Sequence, residues 1–178
     1  MGGRAVVYDL DDTLVRLSVA WDAVTDECVA ALERRGVDRE YGDLWDAYRT
    51  ARETGHLPLV DGIIARHERA GARTSERLPC ADLLARDAPA AVCSLNSVGA
   101  CHIALGVHGL RDHAPVVVGR DSVEAEKPDP EPLLAAIDRL GVEREDAVFV
   151  GDGARDERTA ERAGVEFAYV EEWLDRVG

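Results

Sequence analysis

Lysine is almost missing from this 178-residue chain: 20 of its 21 basic side chains are arginines, and the one exception is Lys127. An ammonium is a compact point charge that fits beside two acceptors at once, whereas a guanidinium is a flat fork of five donors. Lys127, in Glu126-Lys127-Pro128-Asp129-Pro130, is therefore the first candidate for chemistry; the plain alternative is a surface survivor in an arginine-biased composition. Long apolar runs are missing too, none approaching the roughly 18 residues a membrane span needs. No signal-peptide pattern precedes the strand-like run that follows Met1-Gly2-Gly3-Arg4, so the expected location is cytoplasmic, without a membrane partner. Cys28, Cys80, Cys93 and Cys101 lack the spacing of a zinc or disulfide framework and lie in apolar segments, which predicts buried free thiols. The histidines show no HExxH or paired-ligand pattern and receive no metal role.

Positive charge is also in deficit. Asp and Glu number 35, the formal net charge is -14, and the excess is scattered along the chain rather than gathered in a tail. Nucleic acid and anionic membranes would be repelled by such a surface. Acidity with almost no lysine suits a protein kept soluble in strong salt, where the Debye length falls to about 3 Å and self-repulsion is screened. A salt-adapted, halophilic source is the expectation. With 46% hydrophobic and 31% charged residues, the chain has the composition of a soluble globular protein of one domain, or one domain carrying an insertion.

Short apolar runs ending in polar residues recur at 4–10 (RAVVYDL), 90–95 (AAVCSL), 115–118 (PVVV) and 147–150 (AVFV), with a fifth at 165–170 (VEFAYV). Each reads as a buried parallel strand leading into a loop. Helical patterns over 97–108, 131–140 and 157–163 separate several of them, with Gly109, Gly141 and Gly164 at helix ends. That alternation predicts an α/β domain with a mostly parallel sheet flanked by helices and a site at its carboxyl edge. About 75 residues between the first two strands carry no strand signal; helical spacing over 19–35, 41–53, 59–69 and 75–86, with breaks near Gly36, Gly55 and Gly71, predicts a helical insertion over the sheet end. The expected division is a core of 1–15 and 87–178 with an all-helical cap at 16–86.

The first strand ends Asp9-Leu10-Asp11-Asp12-Thr13-Leu14. Residues two apart in extended chain face the same way, so Asp9 and Asp11 aim two carboxylates at one spot, where a hard divalent cation would neutralise them. An acidic turn after a strand is the simpler alternative. Near the far end, Val148 to Asp156 reads as a strand, a glycine, then Asp152 and Asp156. Asp152 sits where a parallel strand leaves the sheet. Asp156 is open between a metal role and capping a helix that begins near Glu157. Asp9 and Asp152 together supply carboxylates of the kind a magnesium site uses.

These segments, with Cys93-Ser94-Leu95-Asn96 and Lys127-Pro128-Asp129-Pro130 between them, resemble the four ordered motifs of the haloacid dehalogenase-like hydrolase superfamily, and most closely its phosphatase branch with a helical cap, the phosphoglycolate phosphatase-like proteins. The resemblance implies a Rossmann-like core with a small helical cap inserted after the first strand. It implies Asp9 as the nucleophile that forms an aspartyl phosphate and Asp11 as the acid and base. Ser94 and Lys127 would hold phosphoryl oxygens, and Mg2+ would rest on Asp9, the backbone carbonyl of Asp11 and Asp152, with Asp156 helping directly or through water. Family members often have Asn directly after the second-motif Ser or Thr; here Leu95 intervenes, and Asn96 or Ser97 shares the phosphate contact or caps the next helix. The dehalogenase branch lacks a carboxylate at the position of Asp11, so phosphate-ester hydrolysis is favoured over carbon-halogen cleavage.

The implied function is a magnesium-dependent phosphatase, monomer or homodimer, acting on a small phosphorylated metabolite such as phosphoglycolate, a sugar phosphate or a nucleoside monophosphate. Specificity should come from the insertion, where Arg16, Arg49, Arg52 and His56 are placed either to meet a second anionic group or to lie in surface salt bridges. A phosphomutase or other phosphoryl transferase of the same family is the nearer alternative; no lysine of the insertion is present to form a Schiff base for phosphonate hydrolysis. From another class, a receiver-type phosphoacceptor module also combines acids, Ser or Thr and Lys-Pro, but its acceptor Asp belongs on a middle strand.

Overall fold

The computed structural model describes residues 4–86 and 89–177, and the expected restart of the core at residue 87 lies outside them. Five strands, β1 (Ala5–Tyr8), β4 (Ala90–Cys93), β5 (Val116–Val118), β6 (Ala147–Gly151) and β7 (Glu166–Tyr169), form one parallel sheet in the order β5-β4-β1-β6-β7. The chain steps from β1 to β4 on one side and returns to β6 on the other, with Tyr8 in register with both Val92 and Val150. A crevice therefore opens beyond the carboxyl end of β1, between the loops that leave β4 and β6.

Strand alternation sends successive side chains into two cores. Val6, Tyr8, Val92, Val148 and Val150 pack on one face with α5 (Val98–Val107) and α8 (Val170–Val177), while Val7, Ala91, Cys93 and Phe149 pack on the other with α6 (Glu131–Leu140) and α7 (Ala154–Ala163). Gly141 and Gly164 end α6 and α7 with φ of 72° and 68°, the left-handed conformation glycine adopts without steric cost. All four cysteines are buried, and none is in a disulfide among the described residues. Among the described residues, no helix is long and apolar enough to cross a membrane.

Between β1 and β4, α1 (Trp21–Glu33), α2 (Leu44–Glu53) and α3 (Leu57–Ala72) close around their own apolar cluster, which includes Val24, Leu32, Tyr48, Val60 and Ile64. One expectation is corrected here. The segment does contain a strand: β2 (Val15–Arg16) pairs antiparallel with β3 (Glu76–Arg77), joining the two ends of the insertion at its base. The helix expected over 75–86 is in fact β3, then the four-residue α4 (Ala81–Leu84). Pro79 explains the break, because the residue before a proline is driven out of the helical region. Two-residue strands lie below the reach of any periodicity. In addition, β1 stops at Tyr8, and Val170 opens α8 rather than ending β7.

Candidate active site

Asp9 is the first residue beyond β1, and its N–H still donates to the Val150 carbonyl at 2.8 Å. The chain then turns sharply. The Leu10 carbonyl accepts from Thr13, Leu14 and Val15, and Asp12 takes a φ of 58°, a left-handed position that Asp tolerates better than most residues. Leu10 and Leu14, both fully buried, anchor this turn in the core, which leaves Asp9 and Asp11 lining the crevice. Asp11 Oδ1 accepts the Leu17 N–H at 2.7 Å, so its carboxyl is held across the turn.

Lys127 is 4% exposed and its Nζ meets three acceptors: Asp9 Oδ1 at 3.0 Å, Asp156 Oδ1 at 2.5 Å and the Cys93 carbonyl at 3.3 Å. One ammonium thus ties together the ends of β1 and β4 and Asp156 in the segment that follows β6. Burial alone would depress its pKa, but the Asp9 and Asp156 carboxylates outweigh that and hold it above the usual lysine range. Asp9 is pushed up to about 7 by burial, a rise that the ammonium counters and the Asp156 charge reinforces. Burial also lifts Asp11 to about 6 and raises Asp152.

Asp156 is not a helix cap. The cap of α7 is Gly153, three residues earlier than the sequence pattern indicates, so Asp156 lies in the first turn with its side chain turned into the crevice. Gly151 makes this possible: a Cβ there would lie 2.5 Å from Asp156 Oδ2 and 2.7 Å from its Cγ. Carboxylate oxygens of Asp9, Asp152 and Asp156 lie within 4.8 Å of one another. Three carboxylates against one ammonium leave an excess of two negative charges, which one divalent cation neutralises. Asp9 and Asp156 are buried, and burial with the nearby Asp156 charge raises Asp9, so this oxygen donor set fits a hard cation such as magnesium.

Ser94 and Asn96 lie on the loop after β4 and also line the crevice. Ser94 Oγ donates to Asn96 Oδ1 at 2.9 Å and accepts the Asn96 N–H at 3.1 Å. Asn96 is therefore a brace for Ser94 in this arrangement, its Nδ2 reaching Glu68 Oε1 at 3.4 Å. Ser97 occupies the cap position of α5 without a side-chain capping bond; Glu68 Oε2 and Asp121 Oδ1 instead accept the Ser97 and Val98 N–H groups at 2.9 and 2.8 Å.

Glu68 and Arg120 were not singled out by sequence reasoning, yet they organise this loop. Arg120, its side chain 1% exposed, donates to Asp61 and Glu68 of α3 and to the Leu95 carbonyl, at 2.8, 2.6 and 2.6 Å. The insertion is thereby ion-paired to the core directly behind the Ser94 loop. A signal existed in the sequence: Val60, Ile64, Glu68 and Ala72 recur every four residues along the buried stripe of α3, and a carboxylate on such a stripe demands a partner. Of the basic residues weighed for substrate contact, Arg16 pairs with Asp12 and Glu76, Arg49 with Asp46, Arg52 with Glu126, and His56 with Thr54. None of the four lines the crevice, which encloses about 880 Å³.

Comparison with known proteins agrees with this geometry. The haloacid dehalogenase-like hydrolase family matches residues 80–170, the half of the chain that carries Ser94, Lys127, Asp152 and Asp156. A phosphoglycolate phosphatase from Rhodospirillum rubrum is 32% identical over 91% of this chain and 77% of its own length. The chain belongs to the haloacid dehalogenase-like hydrolase family. A subfamily IA hydrolase of this superfamily from Geobacter sulfurreducens shares the fold with a TM-score of 0.68, at 22% identity over 99% of this chain and 100% of its own. CbbY from Rhodobacter sphaeroides, solved with phosphate, superposes with a TM-score of 0.67, at 22% identity over 93% and 85%. The chain is thus a hydrolase, and its Rhodospirillum rubrum relative is a phosphatase, which sets the receiver-type alternative aside.

Proposed function

We propose that this hydrolase is a magnesium-dependent phosphatase that cleaves a small phosphate monoester through an aspartyl phosphate on Asp9. The observation that carries this reading is the Lys127 ammonium bridging Asp9 and Asp156 at the carboxyl edge of the sheet, with Asp152 alongside and Ser94 on the neighbouring loop. Bound at Asp9, Asp152 and Asp156, with the Asp11 carbonyl, magnesium would offset charge on the phosphoryl oxygens and on the carboxylates themselves.

In this reading Asp9 Oδ attacks phosphorus while the ester oxygen departs and takes the proton carried by Asp11. Asp11, lifted to about 6 by burial, holds that proton more readily than an ordinary carboxyl group. Now deprotonated, it accepts a proton from water as the water oxygen attacks the same phosphorus; phosphate leaves and the Asp9 carboxylate is restored. Lys127 offsets negative charge throughout, and the Ser94 hydroxyl can turn from Asn96 to a phosphoryl oxygen. Residues 16–86 act as a cap that supplies the outer wall of the crevice. A cytoplasmic setting accords with four buried cysteines outside any disulfide among the described residues.

The test is turnover. Purified protein should release nitrophenol from p-nitrophenyl phosphate over many cycles with magnesium and stop with EDTA, and acid quenching should trap phosphate on the wild type but not on Asp9→Asn. Magnesium-independent turnover, or equal labelling of the variant, would sink the mechanism.

A further inference from the structure

The wall that the insertion presents to the crevice has a one-sided chemistry. Residues 16–86 contain 11 arginines and 13 acids, a nearly even supply, yet none of those arginines lines the cavity while Asp22, Asp26, Asp43 and Glu68 do. Glu68 is committed to Arg120. Asp22 and Asp26 make no ion pair or side-chain hydrogen bond among the described residues, and Asp43 accepts only the Asp46 N–H as the cap of α2. Trp21, Asp22, Thr25 and Asp26 project from successive turns of one face of α1, and Trp45 follows Asp43 across the crevice.

Two indole rings among unpaired carboxylates match a cation. The negative face of an indole attracts ammonium and guanidinium groups, and carboxylates nearby add to that attraction. Trp45 already illustrates it, with the Arg155 guanidinium 5.1 Å from its ring centroid. Trp21, 37% exposed, has no such occupant among the described residues. Arg155 and Arg158 are the cations on the opposite, α7 wall: the first is stacked on Trp45 and the second donates Nε to the Ala154 carbonyl. Arg155 thus reaches the insertion's wall already engaged by Trp45, and the carboxylates of Asp22, Asp26 and Asp43 are what that wall offers an ester group extending outward from the phosphate.

Resting on the phosphatase reading above, we infer that the substrate is a phosphate monoester whose alcohol carries a positive charge, a short alkyl phosphate ending in an ammonium group. An anionic alcohol such as glycolate would face Asp22, Asp26 and Asp43 with no arginine of the insertion to receive it.

The test uses the full chain with magnesium at low ionic strength and three esters of similar size: 2-aminoethyl phosphate, 2-hydroxyethyl phosphate and 2-phosphoglycolate, with p-nitrophenyl phosphate as reference. The expected order of kcat/KM is ammonium, then neutral, then carboxylate, with at least a tenfold gap between the first and last. In Asp22→Asn/Asp26→Asn the ratio of first to last should fall toward one. If p-nitrophenyl phosphate is hydrolysed but phosphoglycolate equals or exceeds the ammonium ester, or the ratio is unmoved in the variant, the charge inference is overturned while the phosphatase reading stands. If no ester is hydrolysed, both fall.

Discussion

Replacing Lys127 by Arg keeps the charge and changes only its shape, which makes it the sharpest test of the site. The ammonium satisfies three acceptors with one atom, at 3.0, 2.5 and 3.3 Å, while lying 5.4 Å from the Phe149 ring centroid. A guanidinium places carbon where that nitrogen sits and spreads its donors in a plane, so it cannot converge on Asp9, Asp156 and the Cys93 carbonyl together. The larger head must also find room in a pocket that leaves Lys127 only 4% exposed. Overpacking of this kind costs about 1–3 kcal/mol of stability. A displaced charge beside the nucleophile should lower kcat at least tenfold, equivalent to about 1.4 kcal/mol at the transition state. The assay is steady-state hydrolysis of p-nitrophenyl phosphate at saturating magnesium, with urea midpoints measured in parallel to separate folding from chemistry. Lys127→Met is the companion variant: it leaves Asp9 and Asp156 buried without a cation, and should lose about 3–5 kcal/mol of stability in metal-free protein. An Arg variant with kcat within about twofold of the wild type and an unshifted midpoint would show that shape is irrelevant there.

Further outcomes are expected from the same charges. Asp9, Asp11 and Asp152 all sit above the ordinary carboxylate range, so between about pH 4 and 7 the folded protein binds more protons at these groups than the unfolded chain, and their contribution to stability falls as pH rises. In EDTA, Asp9→Asn should therefore gain on the wild type by at least about 1 kcal/mol between pH 5.5 and 7.5; parallel urea-midpoint profiles for the two proteins would contradict this. Arg120→Met should cost about 3–5 kcal/mol by stranding Glu68, and adding Glu68→Gln should recover part of the loss, whereas additive losses would mean the pair is not coupled. Cys28 and Cys93 are pushed up to about 12 by burial and Cys101 higher still, so Ellman's reagent at about pH 8 should label native protein slowly and urea-unfolded protein at all four thiols. The melting temperature should rise between low and molar KCl if the charge of -14 reflects salt adaptation, and a flat or falling profile would count against it.

The sheet was legible because its central strands β1, β4 and β6 are buried on both faces and so announce themselves as short continuous apolar runs between glycines and acids. The fragments that escaped notice are those whose conformation comes from elsewhere in the chain. Val15–Arg16 and Glu76–Arg77 are strands only because each supplies the other with a partner, and the 60 residues that separate Arg16 from its partner Glu76 are nothing a local pattern can register. Helix α7 began three residues early for a related reason. Ala154-Arg155-Asp156 carries no apolar stripe of its own, and it is helical because Gly153 caps it and Lys127 draws Asp156 inward.

Within the site, legibility followed how much of a residue's role is local. Asp9, Asp11 and Asp152 could be read from strand ends because the sheet itself places them. Ser94 needed more, since its hydroxyl is held by Asn96, Asn96 by Glu68, and Glu68 by Arg120, a relay that crosses from the core into the insertion and back. Such a relay exists only after α3 has packed against the loops that follow β4 and β5, and Gly119 lets those two loops approach each other: a Cβ there would lie 2.6 Å from the Asn96 carbonyl and the Val98 nitrogen. Closing on a buried guanidinium also makes the arrangement all-or-none, because half of it would leave Glu68 charged and unpaired in a low-dielectric interior. The insertion is consequently more than a cover. Through Glu68 it sets the loop that carries Ser94, and through Asp22, Asp26 and Asp43 it sets the charge met by whatever the phosphate is attached to.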